Sequence, residues 1–316
     1  MKHPSAEDGD RPEREEAGFT AAGGAGMDDS LSTEEKNLGL VGFKIFEPLD
    51  TACWVLVLLF FAISSLVGGG DLTMSVMGAA GIVVLMFLVG VAIEVIIETL
   101  KDIKGLGTVV GFITNGPEAL CLIVGLIAKD VLYAASTPLG SNYVNPLMLA
   151  AAALLTGKAL KTARTNLRYS LVCIILTAGL AGGFFFVPPD FYLVWFVSAL
   201  LISGFLFYKR PPEPGGREDV AHGVSWIWLF PAAAAMVGAG YLLDPVVSFT
   251  AENSRAPKGV IGFVVLSTLT SWPEFKSTLS LLRRNNPLAA VLNITVSNIT
   301  NIWLAAAGVL VFLFMR

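Results

Sequence analysis

The segment T-N-G-P-E at residues 114–118 is matched by T-S-W-P-E at residues 270–274, at an offset of 156 residues. The same offset relates a second pair of segments, S-N-Y-V-N at residues 141–145 and S-N-I-T-N at residues 297–301. In both copies the Ser follows the Glu by 23 positions. Two polar clusters that recur at one offset indicate an internal duplication of the chain.

The chain is strongly apolar. Hydrophobic residues make up 54% of it and charged residues only 15%, whereas a soluble domain contains about a quarter charged residues. Most of the charges fall within the first fifty residues or in short loops. Most apolar runs approach the roughly 20 residues that cross a bilayer as a helix. The composition therefore predicts an all-α, polytopic membrane protein.

The apolar runs predict about nine transmembrane helices, separated by loop-forming segments such as G-G-G-D and V-P-P-D. The polar residues 1–45 lack the apolar surface needed to fold alone and predict a disordered cytoplasmic tail. We expect a first membrane half at residues 46–208, a cytoplasmic linker at residues 209–223 and a second membrane half at residues 224–316.

The basic residues of the loops predict the orientation of the chain. Lys101, Arg164 and Arg283 belong to a large group of basic residues on one side of the predicted membrane, and the other side has few. We therefore expect the first side, including the N-terminus, to be cytoplasmic. The two Glu-bearing helices are five spans apart and must cross in opposite directions. Such inverted-topology repeats are typical of secondary transporters, in which substrate binds near the midplane between the repeats.

Glu118 and Glu274 fall inside apolar segments that are predicted to cross the membrane. An ionisable group at that depth costs about 2.5–3.5 kcal/mol or more, so each needs a cation, a proton or a polar partner. The proline before each Glu removes a backbone donor and is expected to disrupt the helix. Backbone carbonyls freed in this way are tolerated in a membrane only where they line a cavity or meet an ion.

Small polar residues lie four positions before each Glu and recur at the same spacing in the second segment of each copy. This spacing places them on one helical face and forms a polar stripe. These residues are Thr114, Thr270, Ser141, Asn145, Ser297 and Asn301. Carboxylate, amide and hydroxyl oxygens suit Ca²⁺ and Na⁺, and the Cys and His ligands that softer metals prefer are missing from the stripes. The alternative is that the small polar residues only hold the helices together.

The T-x-x-P-E and S-N-x-x-N pattern, present twice, resembles the α-repeats of the sodium/calcium exchanger family within the cation/calcium antiporter superfamily. The resemblance covers roughly residues 105–155 and 261–311. It implies inverted α-repeats that form the cation sites between them, and alternating access in which Na⁺ entry drives Ca²⁺ out, with no cofactor besides the transported ions. By motif position, the family's ligands correspond to Thr114, Glu118, Ser141, Asn145, Thr270, Ser271, Glu274, Ser297 and Asn301.

Three features depart from the family's pattern. Asn301 stands where members often have Asp, so one negative charge is absent, and we expect a lower Na⁺ stoichiometry or proton coupling. Lys276 lies two residues after Glu274, or about 200° around a helix, and is expected to point away from the site; alternatively it competes with bound cations. An extra span precedes the first repeat and two expected helices are missing after the second. Either the chain is a rearranged member, or it is incomplete, or a homo-oligomer or another partner supplies the missing packing.

The sequence thus predicts a multi-pass protein of the cell membrane, plasma or inner, which contacts lipid and inorganic cations and not nucleic acid. The leading hypothesis is a Ca²⁺/Na⁺ antiporter that holds the cation between Glu118 and Glu274. The alternatives are an exchanger of protons or other cations for Ca²⁺, a passive channel and a non-transporting relative. An intramembrane hydrolase would need a histidine base in the membrane, and the two histidines lie in a polar tail and a loop.

Overall fold

The computed structural model describes residues 48–99, 106–213 and 226–315. Every regular element in these ranges is a helix, which confirms the all-α prediction. The predicted tail at residues 1–45 and most of the predicted linker lie outside the described residues, so the division into domains stays a prediction.

Helices are numbered here in chain order. They are α1 Pro48–Gly68, α2 Leu72–Thr99, α3 Leu106–Ile113, α4 Gly116–Ile127, α5 Val131–Leu155, α6 Ala159–Arg164, α7 Leu167–Phe184, α8 Tyr192–Tyr208, α9 Leu229–Ser254, α10 Lys258–Val260, α11 Ser267–Thr270, α12 Trp272–Arg283 and α13 Pro287–Met315. A π-helical segment, Ile261–Leu266, joins α10 to α11, and short 3₁₀ turns at Pro189–Phe191 and Trp226–Trp228 precede α8 and α9.

Seven helical segments of the described ranges are long and apolar enough to cross a membrane, as in a multi-pass integral membrane protein. Helix also occupies the two remaining predicted spans, α5 and residues 258–283. The second of these is interrupted, and α5 has many buried polar residues. The predicted count of nine crossings and the cytoplasmic side of the N-terminus therefore stay predictions.

Each α-repeat is a broken helix that turns back into a long, unbroken one. Repeat 1 comprises α3 to α5. Near the turn between its arms, a Cβ on Gly125 would lie 2.6 Å from the Ala134 Cα. Farther from this turn, Ser141 contacts Glu118. In repeat 2, which comprises α10 to α13, the Asn286 N–H donates to the Leu281 carbonyl over 3.0 Å. The two arms of each hairpin are therefore antiparallel.

The first arm of repeat 1 packs closely along the long helix of repeat 2. A Cβ on Gly107 would lie 2.5 Å from the Ala289 carbonyl oxygen, and a Cβ on Gly111 would lie 2.7 Å from that of Asn293. Both contacts advance in the same chain direction, so α3 and α13 are parallel. The G-x-x-x-G spacing on α3 is a common means of bringing two membrane helices into backbone contact.

The reciprocal contact joins repeat 2 to the long helix of repeat 1. A side chain on Gly262 would collide with the Ser136 hydroxyl, and one on Gly140 would collide with the Phe263 carbonyl. The π-helical segment and α5 are therefore also parallel. Because α13 is antiparallel to α12 and parallel to α3, the broken helices of the two repeats point in opposite directions. This confirms the predicted inverted orientation.

The two long helices lie at the centre of this arrangement. Helix α13 contacts α3, α5 and α12 on one side and α7 and α8 on the other. Helices α1, α2 and α9 form a separate layer, in which α2 packs extensively along α9. Helices α5 and α13 are thereby shielded along much of their length, which allows them to carry polar side chains.

Candidate functional site

The broken helices of the two repeats are interrupted at equivalent positions with nearly the same backbone geometry. Asn115 has φ −80° and ψ 7°, and Ser271 has φ −78° and ψ 0°. Pro117 and Pro273 lie in the first turn of the helix that follows each break, where the missing N–H leaves no hydrogen bond unmade. The prolines therefore begin a new helix after the break and do not kink a continuous one.

The breaks place both carboxylates at the start of a helix. Glu118 lies in the first turn of α4 and Glu274 in the first turn of α12. The positive end of the helix dipole favours negative charge at these positions. The side chains of both residues are fully buried, so the helix start offsets part of the cost of placing a carboxylate there.

Each carboxylate accepts a hydrogen bond from the serine of its own repeat. The Ser141 hydroxyl donates to Glu118 Oε1 over 3.1 Å, and the Ser297 hydroxyl lies 3.2 Å from Glu274 Oε1. The recurring spacing of 23 residues in the sequence thus corresponds to a Glu–Ser contact that is repeated in the two halves.

Further contacts connect the two repeats to each other. The Asn145 side-chain amide donates to Ser297 Oγ over 2.9 Å and to Asn298 Oδ1 over 3.1 Å. The Ser297 hydroxyl also lies 3.2 Å from Asn115 Oδ1. Glu274, Ser297, Asn145 and Asn115 therefore belong to a single buried network that includes residues of both repeats.

The two threonines of the motifs approach the carboxylates of the opposite repeats. The Thr270 hydroxyl lies beside Glu118 and 3.5 Å from Ser141 Oγ, and the Thr114 hydroxyl lies beside Glu274. The sequence interpretation placed each threonine on the same helical face as the Glu of its own repeat. The break at Asn115 or Ser271 lies between the two residues, so the shared helical face stays a prediction.

All nine predicted site residues are fully buried, namely Thr114, Glu118, Ser141, Asn145, Thr270, Ser271, Glu274, Ser297 and Asn301. Contacts described above place seven of them in two clusters, one around each Glu, and each cluster includes residues of both repeats. Ser271 lies at the break before α12 and Asn301 lies one turn beyond Ser297 on α13.

Several oxygens of these side chains have no hydrogen-bond partner within the described ranges. They are Glu118 Oε2, Glu274 Oε2, Asn145 Oδ1, Ser271 Oγ and Asn301 Oδ1. Leaving a buried polar atom without a partner costs about 1–3 kcal/mol, and such atoms in proteins commonly face a water molecule or an ion. The two carboxylates contribute equivalent oxygens, one from each repeat.

The network also contains residues that were not among the predicted ligands. Asn115 Oδ1 lies beside the Ser297 hydroxyl, and the Asn293 side-chain amide donates to Thr278 Oγ1 over 2.9 Å and to the Glu274 carbonyl over 3.3 Å. The duplication itself carried the signal for Asn115, because it occupies the position of Ser271 at the offset of 156 residues.

Lys276 points away from Glu274 and toward α1. Its Nζ atom lies 3.1 Å from Asp50 Oδ2 on α1, and the Trp272 indole donates to the other oxygen of the same carboxylate. This agrees with the predicted direction of Lys276 and identifies Asp50 as a partner that the sequence did not indicate.

The polar groups around Glu118 and Glu274 are hard oxygen donors, and two of them are carboxyl groups. Within the described ranges no group of three or more His, Cys, Asp or Glu residues could hold a metal ion. Two carboxylates and neutral amide and hydroxyl oxygens remain, which is a donor set suited to Ca²⁺ or Na⁺.

Comparisons with known proteins agree with this geometry. Residues 224–315 match a family model described as sodium/calcium exchanger protein. A solved structure titled "Crystal Structure of H+/Ca2+ Exchanger CAX" shares 14% sequence identity and a TM-score of 0.50, and the match covers 90% of this chain and 75% of that chain. At this identity the likeness shows a shared fold. No curated protein matches the chain.

The family model covers the whole of repeat 2, whose motif and internal contacts recur in repeat 1. This confirms the resemblance indicated by the two motifs and points to a class of transporters, not of enzymes. The second membrane half of the chain, residues 224–315, is therefore similar to the sodium/calcium exchanger family.

Proposed function

We propose that this protein is a secondary active antiporter that exchanges Ca²⁺ for Na⁺, with Glu118 and Glu274 holding the cation between the two repeats. One observation carries the proposal. Each Glu is fully buried at the start of a half-helix, is bound through one oxygen to its own serine and has a second oxygen without a partner. Two such oxygens in a polar network between inverted repeats form a site for a hard cation.

The charge of the site supports a divalent cargo. Two carboxylates supply a charge of −2, which one Ca²⁺ ion neutralises in a low-dielectric environment. Calcium takes six to eight oxygen ligands. Besides the carboxylates, the unpartnered oxygens of Asn145, Ser271 and Asn301 are the candidates for further ligands.

The inverted repeats support alternating access as the mechanism. The two repeats contribute equivalent polar groups and point in opposite directions. When each repeat takes up the conformation of the other, the site opens to the other face of the membrane. Close backbone packing at Gly111 and Gly140 restricts motion of the broken helices to sliding or tilting along α13 and α5. The cell membrane, plasma or inner, is the proposed location.

Proton-coupled exchange is the second candidate. Asn301 provides an amide, whereas a third carboxylate at this position would favour the binding of more Na⁺ ions. The charge of −2 from the two Glu residues matches two protons as well as it matches one Ca²⁺ ion. The solved structure of similar fold is titled as an exchanger of H⁺ for Ca²⁺. Both candidates use the same two carboxylates and differ in the ion that replaces Ca²⁺.

Purified protein in proteoliposomes tests the proposal. We expect ⁴⁵Ca²⁺ uptake driven by an outward Na⁺ gradient and absent from vesicles containing the double variant Glu118→Gln/Glu274→Gln. Uptake driven by a pH gradient and not by Na⁺ would select the proton-coupled candidate. Rapid Ca²⁺ leakage that needs no counter-ion would indicate a passive channel, and absence of flux under all gradients would indicate a non-transporting relative.

A further inference from the structure

We propose that Asp50, which lies outside both repeats, is a positioning residue for Glu274, and that the ion pair of Asp50 with Lys276 sets the charge around the cation. The inference rests on the proposed function of the Glu118–Glu274 site. Its basis is a buried carboxylate on α1 that contacts the helix of Glu274 at two points.

The geometry of the contact is specific to Glu274. Trp272 and Lys276 lie two residues before and two residues after Glu274, and they are four residues apart on α12. Residues four apart share a helical face, and residues two apart are separated by about 200°. Asp50 therefore binds the face of α12 directly behind Glu274 and fixes the rotation of the first turn of this helix.

In repeat 1 the two positions equivalent to Trp272 and Lys276 carry apolar residues. At the offset of 156 residues the positions of Trp272 and Lys276 are occupied by Gly116 and Leu120. Leu120 packs instead on α9, where a Cβ on Gly240 would lie 3.4 Å from the Leu120 Cδ2. The half-helix of Glu118 thus rests on an apolar surface that permits sliding, whereas the half-helix of Glu274 is tied to α1 by an ion pair.

Charge gives the pair a second role. The Asp50 side chain is 3% exposed and that of Lys276 is 23% exposed, so water screens their charges only in part. A positive charge so near Glu274 would oppose the binding of a cation, and the neighbouring negative charge of Asp50 cancels this effect. The two residues therefore have opposite influences on cation affinity, although each stabilises the same contact.

A double-mutant cycle separates these roles. The variants are Asp50→Asn, Lys276→Met and the two combined, with Ca²⁺ affinity measured by titration calorimetry on purified protein and KM for ⁴⁵Ca²⁺ measured in proteoliposomes. We expect Asp50→Asn to weaken Ca²⁺ binding by about tenfold or more and Lys276→Met to strengthen it by a similar factor. The combined variant should return toward the wild-type affinity.

The variant Asp244→Asn is a matched control, because Asp244 forms an ion pair of 4.0 Å with Lys258 away from Glu274; its Ca²⁺ affinity should equal that of the wild type. Equal weakening by both single substitutions without recovery in the combined variant, or unchanged affinity in all three, would overturn the inference. If Asp50→Asn does not fold, Lys276→Met still decides, because loss of a positioning contact alone would weaken Ca²⁺ binding, whereas loss of the positive charge strengthens it. Absence of Ca²⁺ binding and flux in the wild type would instead refute the proposed function, and the inference with it.

Discussion

Repeat 1 and repeat 2 interrupt their helices with the same backbone angles, yet they use the equivalent side chains differently. Both polar atoms of the Asn115 side chain have a neighbour, since its amide donates to the Gly111 carbonyl over 2.5 Å and its oxygen lies 3.2 Å from the Ser297 hydroxyl. The hydroxyl of its counterpart Ser271 has no partner in the described ranges. Duplication has preserved the course of the chain but not the pairing of its polar groups.

The same contrast recurs in the long helices. Asn145 of repeat 1 donates two hydrogen bonds across the interface, whereas neither polar side-chain atom of Asn301 has a partner within the described ranges. Among the nine predicted ligands, repeat 2 thus has three unpartnered oxygens, on Ser271, Glu274 and Asn301, and repeat 1 has two, on Glu118 and Asn145. Repeat 2 also contains the π-helical segment Ile261–Leu266, a type of distortion that often occurs at functional sites.

The strongest test of the comparison is to remove one carboxylate at a time. We expect Glu118→Gln and Glu274→Gln each to reduce ⁴⁵Ca²⁺ flux by about a hundredfold or more, since either leaves a single charge for a divalent ion. The exposed Glu252 of α9 offers a control, and Glu252→Gln should transport normally. Substantial flux in only one of the site variants would mean that the two repeats do not share the cation.

The second test concerns the close contacts between the repeats. We expect Gly111→Ala to lower the free energy of unfolding by about 1–3 kcal/mol, because the new Cβ would lie 2.7 Å from the Asn293 carbonyl oxygen. Gly140→Ala should have a similar effect in the reciprocal contact. Thermal unfolding of purified protein measures both, with Gly204→Ala as control, since a Cβ there meets no atom within 4 Å. Stability equal to that of the control would argue against the tight packing.

The third test compares the two asparagines. Asn145→Ala should lower the free energy of unfolding by about 1–2 kcal/mol, the value of two lost hydrogen bonds. Asn301→Ala should leave stability almost unchanged and weaken Ca²⁺ binding, because its oxygen is a candidate ligand without a protein partner. Calorimetric titration and thermal unfolding of both variants check this. A larger loss of stability for Asn301→Ala would reverse the assignment of roles to the two repeats.

The smallest expected effect is a change in coupling. Asn301→Asp adds a third carboxylate and should allow the site to accept one more monovalent cation per Ca²⁺. Reversal potentials in proteoliposomes should then shift between the wild type and the variant, while Asn301→Ala serves as the uncharged control. A wild-type stoichiometry of three Na⁺ per Ca²⁺ would contradict the view that two carboxylates limit the number of counter-ions.

Much of the architecture could be predicted because it depends on local properties of the chain. The length of apolar runs defines where helices form, and the recurrence of T-x-x-P-E and S-N-x-x-N revealed the duplication. The equal Glu-to-Ser spacing in the two copies corresponds to equivalent contacts in the structure. The inverted orientation followed from the number of predicted spans between the repeats, without knowledge of any contact.

The tertiary structure alone decided which polar groups meet. Thr270 approaches Glu118. Asn145 binds Ser297, which lies 152 positions away in the sequence, and Asp50 binds Lys276, which lies 226 positions away. Such partners depend on helix rotation and on the breaks at Asn115 and Ser271, which shift every later side chain around its axis. By itself the sequence determined the helices, their duplication and the two acidic residues. Packing determined which side chains these acidic residues meet, because a hydrogen bond requires atomic positions accurate to a fraction of an ångström and the periodicity of a sequence does not specify them.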